Sequence, residues 1–308
     1  MLLYVGWRLL SPIARIVPRR WAYAVSYALM AIVFRAWPAG RRAMRDNLRT
    51  VLQTDDAAVV DTVARRQLAR YGEYLVDALL INTLTPARCH AAVPTDAWPR
   101  LREIAAHEPI LFALMHFGNW DVGGGAFTHV VGRSHVLVES LGHPGLDAMV
   151  QQGRDALGMT PVPIERGALA ARRALRQGGA LALLFDRPTA PDEPGVDVTF
   201  FGRHCRLPNG FARLALASQA RVIPLAILRQ RSGVFQFSAL VDLDFAYTRS
   251  ADRAADVQAL TQGVLNVHES WIRRYPEQWY QFRPFFSNHE SVGAEASAVP
   301  GSYAATAR

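Results

Sequence analysis

The chain has 308 residues, half of them apolar and 19% charged, with a formal net charge of +8, which excludes a disordered, collagen-like or coiled-coil polymer and leaves one large α/β unit or two domains. All 34 basic residues are arginine, so a P-loop, a pyridoxal-phosphate Schiff base and the phosphate grip of a protein kinase, each dependent on lysine, are excluded as well. The two cysteines, Cys89 and Cys205, stand outside any Cys/His cluster, which argues against a disulfide scaffold or a zinc site and for a reducing compartment.

The charge excess lies at the beginning. Residues 1–50 hold nine arginines and one acid, Asp46, whereas the remaining arginines and acids balance. Residues 1–10 form an apolar stretch interrupted by Arg8, and residues 21–34 are an uncharged run bracketed by Arg19, Arg20 and Arg35. That run is shorter than the roughly 20 residues a membrane span needs, and no small-residue cleavage site follows it, so a removed signal peptide is not expected. Residues 1–40 therefore read as a membrane-associating helical arm anchored by arginine, against the alternative of a buried core helix with incidental flanking charge.

Residues 41–286 read as an α/β domain. Apolar positions at helical spacing (Leu48, Val51, Leu52, Val59, Val60, Val63, Leu68, Tyr71, Leu75, Leu79) predict two or three helices over 41–85. From Pro109 onward, short apolar runs at 110–115, 135–140, 180–185 and 222–228 alternate with helical segments near 120–131, 144–157, 168–177 and 208–219. This βαβ rhythm predicts a central, mostly parallel sheet flanked by helices. A strand pair is expected at 234–245 and a long helix over 252–274 opened by Asp252. Residues 287–308, rich in Ser, Ala, Gly and Glu, read as a disordered tail.

In open α/β sheets ligands bind beyond the carboxyl ends of the strands. The first apolar run ends in His116-Phe-Gly-Asn-Trp-Asp121 and the third in Asp186-Arg187-Pro188. A histidine at a strand end, supported by a carboxylate, can take the proton of a hydroxyl. Spacing alone is weak evidence, because nine histidines and 26 acids in 308 positions give about one such pair by chance. No G-x-S-x-G elbow points to a serine esterase.

The string HFGNWD resembles the His-x4-Asp motif of glycerolipid acyltransferases, in the form found in the bacterial lipid A lauroyl and phosphatidylinositol mannoside acyltransferase family. Arg154 with Gly158, Asp186 at a strand end, Phe-Phe-Gly at 200–202, Ala-Arg-Val-Ile-Pro at 220–224 and Pro-Glu-Gln-Trp-Tyr at 276–280 followed by Arg283 are landmarks in the family's order. The resemblance covers roughly 41–286. It implies a glycerolipid-acyltransferase-like α/β fold and transfer of a fatty acyl group from acyl-coenzyme A or acyl carrier protein to a hydroxyl of a phospholipid or glycolipid. The setting it implies is the cytoplasmic face of the bacterial inner membrane, with anionic lipids as partners, no nucleic acid, no metal and no resident cofactor. The family often has a second acid where this chain has Pro188, so Asp192, Glu193 or Asp197 are possible substitutes. His116 is expected to be the general base, with Asp121, Asp186 and Asp197 all open as its partner. Gly118, Asn119 and Trp120 of the loop, with Arg154 and Arg187, are expected to bind substrate, the arginines through phosphate. Charge on the thioester oxygen calls for backbone N–H groups between Gly118 and Trp120, or an arginine. Trp279, Tyr280 and Phe282 are expected in the core. The rival reading is an inactive lipid-binding homologue of the same fold.

Overall fold

A computed structural model describes residues 2–164, 167–177, 179–190 and 192–286; the expected tail at 287–308 lies outside the described residues. Four helices come first: α1 (Leu2–Ile16), α2 (Arg19–Ala36), α3 (Pro38–Leu52) and α4 (Ala57–Leu79). Asp56 starts α4 by accepting from the N–H groups of Ala58 and Val59, two of the donors that a helix start leaves without partners. After α5 (Pro86–Ala92) and α6 (Trp98–His107) the alternating part begins with β1 (Ile110–Leu114), α7 (Trp120–Val131), β2 (Ser134–Val138), α8 (Pro144–Ala156), β3 (Met159–Pro163), α9 (Gly167–Arg176) and β4 (Ala180–Leu184). It closes with β5 (Gly195–Phe200), β6 (Arg203–Pro208), α10 (Gly210–Ser218), β7 (Arg221–Arg229), β8 (Phe237–Val241) and α11 (Arg253–Arg274).

Six strands make one sheet in the order β3-β2-β4-β1-β7-β8, parallel except for β8, and β5 with β6 form a separate hairpin. Alternation along β1 divides the core. Leu111 and Ala113 face one layer with Leu181 and Leu183 of β4, α10 and α11, while Ile110, Phe112 and Leu114 face the other with α5 and α7. Burial on both faces explains why the central strands read as continuous apolar runs.

The expected α/β architecture is present, with three differences among its strands from the chain-order reading. First, β3 was not expected: Pro161 and Pro163 disguise it, and proline is tolerated there because β3 is an edge strand. Second, the segment expected to hold a strand pair at 234–245 contributes one strand, β8, which pairs antiparallel with β7 rather than with itself. Third, the β5–β6 hairpin was missed, although its turn, with Phe201 and Gly202 both at positive φ (51° and 76°), is the Phe-Phe-Gly landmark.

Helix α2 packs along α4 with Tyr23, Ser26 and Phe34 buried. Its opposite face exposes Trp21, Val25, Leu29 and Ile32, between 50% and 61% accessible, at a spacing that puts them on one stripe. On α1, Leu9, Leu10, Ile13 and Ile16 are also exposed. Among the described residues no single helix is long and apolar enough to cross a membrane; α2 and α3, which have the length together, meet at a bend of 94°.

Candidate functional site

Strand register assembles the centre of the site. Leu114 and Leu184 are paired neighbours on β1 and β4, so His116 and Asp186, each two residues further on, emerge side by side from the carboxyl edge. The His116 ring Nδ1 lies 2.7 Å from Asp186 Oδ1, and the His116 backbone N–H donates to Asp186 Oδ2 at 2.9 Å. Asp186 is fully buried. Its Oδ2 also accepts from Trp279 Nε1 at 3.1 Å and Gln281 Nε2 at 2.9 Å. Burial by itself would push this carboxyl up; the adjacent imidazole and the ring of N–H donors outweigh it and hold the carboxyl below the usual carboxylate range. An ionised carboxylate only accepts, so Nδ1 carries a proton, and in the neutral ring that leaves the lone pair on Nε2. The imidazole is partly exposed, and Nε2 is its outer nitrogen.

The chain after His116 is held equally closely. Residues 116–118 run antiparallel to 278–280, through Tyr280 N–H to His116 O (2.7 Å) and Gly118 N–H to Gln278 O (2.9 Å), while Asn119 N–H donates to Ile227 O (2.7 Å). Gly118 has φ of +76°, and a Cβ there would meet Ile227 O at 2.0 Å, so only glycine fits. The Asn119 side chain caps α7 by accepting from Val122 N–H at 3.0 Å. Trp120 stands edge-on to His116, with ring centroids 5.3 Å apart.

The other expected residues divide. Asp121 does not pair with the histidine: its oxygens accept from Arg154 Nε at 2.8 Å and Tyr74 Oη–H at 2.9 Å, because α7 turns it to the side facing α4 and α8. Asp197 is on the β5–β6 hairpin, half exposed, with Arg206 at 3.1 Å and His204 at 3.3 Å. Its strand pairs with β6 rather than with the main sheet, so it is not brought to His116. Arg187 pairs with Glu139 and reaches to 3.5 Å from His116 Nε2. Of the N–H groups between Gly118 and Trp120 expected as donors for a developing oxyanion, those of Gly118 and Asn119 are spent on Gln278 and Ile227, while Arg187, the expected alternative, lies beside the ring. Trp279 and Tyr280 are buried as expected. The donor role of Trp279 and Gln281 toward Asp186 was missed, although the 276–280 landmark marked the segment.

Beside this centre a small cleft lies between the sheet and α7. Its walls are mainly apolar (Phe112, Leu114, Phe127, Val136, Ala182, Leu184, Leu225), with Trp120, Asp121 and Arg154 at a polar end.

A histidine–aspartate pair at the carboxyl edge of a sheet occurs in several enzyme classes, and a family model decides among them: that for "Bacterial lipid A biosynthesis acyltransferase" matches residues 2–287. The chain belongs to this family. The acyltransferase is 27% identical over 286 residues to the phosphatidylinositol mannoside acyltransferase of Mycolicibacterium smegmatis, an alignment that covers 91% of this chain and 88% of the relative. It is also 27% identical over 292 residues to the phosphatidylinositol mannoside acyltransferase of Mycobacterium tuberculosis, covering 86% and 87%. The match to the acyltransferase family includes the helices α1 and α2 as well as the sheet.

Proposed function

We propose that this acyltransferase moves a fatty acyl group from a thioester, acyl-coenzyme A or acyl carrier protein, to a hydroxyl of a phospholipid or glycolipid acceptor, with His116 as general base. The observation that carries this reading is the outward-facing Nε2 of an imidazole fixed by a buried aspartate, next to an apolar cleft. The acceptor hydroxyl gives its proton to Nε2 as its oxygen attacks the thioester carbonyl. A C–O bond forms, the carbonyl π electrons move to oxygen, and on collapse the C–S bond breaks. The sulfur leaves with the proton held by the imidazole, whose positive charge Asp186 stabilises meanwhile. Thioester and hydroxyl balance the reaction without a further reagent.

Arg187 lies 3.5 Å from Nε2 and supplies N–H donors for the oxyanion. Arg154 holds Asp121 and lies at the polar end of the cleft, where it presents charge to a phosphate of donor or acceptor. The apolar wall of the cleft suits an alkyl chain.

The exposed apolar stripes of α1 and α2, flanked by Arg8, Arg15, Arg20 and Arg35, suit a helical surface seated in the headgroups of an anionic membrane, at the cytoplasmic face. The test is incubation of the protein with labelled acyl-coenzyme A or acyl carrier protein and a panel of membrane lipids. Labelled lipid from the wild type and none from His116→Ala supports the reading. No label with any lipid would favour the inactive lipid binder, a reading to which the intact His116–Asp186 pair lends no support.

A further inference from the structure

A second buried polar cluster lies behind the motif and is not used in the transfer step. Asp77 on α4, 3% exposed, accepts from Tyr23 Oη–H of α2 at 2.6 Å, from Asn119 Nδ2–H at 2.9 Å and from the guanidinium of Arg229 at the end of β7. Glu73, one turn earlier and fully buried, accepts from Gly233 N–H at 2.6 Å and Tyr27 Oη–H, and lies 3.4 Å from Arg229 Nε. Taking such charges out of water is costly, and apolar residues of similar volume often serve stability as well or better. Position is what the arrangement supplies.

Asn119 has its four bonding groups committed: its backbone N–H to Ile227, its carbonyl to Gly123, its Oδ1 to Val122 and its Nδ2 to Asp77. This fixes the first turn of α7, from which Trp120 and Asp121 project, and the backbone returning to His116. Arg229 is linked to the pair from the other side. Gln278 holds both its N–H and its carbonyl, at 2.9 Å and 3.1 Å, and Trp279, next in the chain, donates to Asp186. The support begins on α2. Burial and the Asp77 carboxylate push the Tyr23 phenol well up, so it remains a donor.

We propose that Asp77 is a positioning residue for the catalytic loop, acting through Asn119, and that Tyr23 makes helix α2 part of the same support. This rests on the acyl-transfer reading for its kinetic consequence, but its structural consequence is measurable separately. The variants are Tyr23→Phe, which removes one oxygen and keeps the ring, and Asp77→Asn, made in the full chain. Each is followed by kcat and KM for acyl-coenzyme A and by hydrogen exchange of the peptide 116–124. Tyr23→Phe is expected to lower kcat about fivefold and Asp77→Asn about fiftyfold, with KM within about twofold. Exchange across 116–124 should quicken in both, while peptides from β1 and β4 keep the wild-type rate.

Unchanged exchange at 116–124 in both variants overturns the proposal whatever the kinetics. So does faster exchange throughout the sheet with activity falling in step, which marks a purely global loss of stability. Wild-type kcat in both variants overturns it as well. A wild-type protein that transfers no acyl group refutes the acyl-transfer reading instead, and the exchange result then decides the positioning role on its own.

Discussion

Asp186→Asn isolates the part of the site on which the most weight rests. Asparagine has nearly the same shape, but one of its two terminal atoms is a donor. In one orientation the amide oxygen takes the three donors now on Oδ2, from His116 N–H, Trp279 and Gln281, and the NH2 group faces Nδ1. The imidazole must then carry its proton on Nε2, and it no longer has a lone pair for the acceptor hydroxyl. In the other orientation the tautomer is right but the NH2 group confronts those three donors. At about 1 kcal/mol or more for each buried donor left unmet, the second orientation lies about 3 kcal/mol higher, which leaves fewer than about one molecule in a hundred competent. Loss of the negative charge that stabilises the imidazolium comes on top. The expected loss in kcat is therefore about 10²- to 10⁴-fold. Transfer of labelled acyl chain to lipid measures it, and nitrogen NMR of the imidazole, with the melting temperature alongside, reads the tautomer. Turnover above about a tenth of wild type, or an imidazole that keeps its proton on Nδ1, would refute the reasoning.

Asp197→Asn, on the exposed hairpin, should leave kcat within about twofold of wild type, since it loses only surface pairs with Arg206 and His204; a large loss in the transfer assay would mean that the hairpin moves to the site. His268 is fully buried on the Ala113 carbonyl, at 3.0 Å, and burial lowers its pKa to about 4. A lowered folded value means that the unfolded chain binds the proton first, so stability falls as pH drops from about 6.5 to 4, by roughly 3 kcal/mol at most. Urea unfolding across that range should show the slope in wild type and lose it in His268→Gln; equal slopes would contradict this. Leu29→Ser with Ile32→Ser on the outer face of α2 removes apolar area worth about 3 kcal/mol if that face is seated in lipid. Co-sedimentation with anionic vesicles at about 1 M salt, where charge attraction is screened, should then fall about a hundredfold, and unchanged binding would place the membrane contact elsewhere. Ala182→Phe, filling the cleft between sheet and α7, should cut transfer of long acyl chains by roughly tenfold relative to short ones; an unaltered chain-length profile would remove the cleft as the acyl site.

What the sequence revealed and what it hid follow from the range of the interactions involved. The central strands were legible because each is buried on both faces and so appears as an unbroken apolar run. Residues at their carboxyl ends could be inspected in advance for the same reason, which brought out His116 and Asp186. The choice of Asp186 over Asp121 depends on the pairing of Leu114 with Leu184, a contact 70 positions apart that no local pattern encodes. Asp121 misled because five-residue spacing suggests proximity, whereas the intervening Gly118 turn and the start of α7 direct the two side chains apart. Glu73 and Asp77 gave no warning on α4. Helical periodicity assigns charged positions to the solvent side, and most of the groups that make their burial tolerable, Arg229, Tyr23 and Asn119 among them, lie far away in the chain. Proline hid β3, which an edge position permits.

The sealing of Asp186 under Trp279 and Gln281 has a consequence for how such an enzyme changes its substrates. No molecule arriving from solvent touches the carboxylate, so with His116 as the proposed base its tautomer is set during folding and is the same for every acceptor. The proton-transfer apparatus is therefore indifferent to what carries the hydroxyl. On the proposed mechanism, discrimination among acceptors falls to exposed side chains at the mouth such as Glu139, which pairs with Arg187. Exchanging such outer side chains leaves the packing around Asp186 untouched, so on that mechanism acceptor preference can drift through surface substitutions while the proton transfer stays the same.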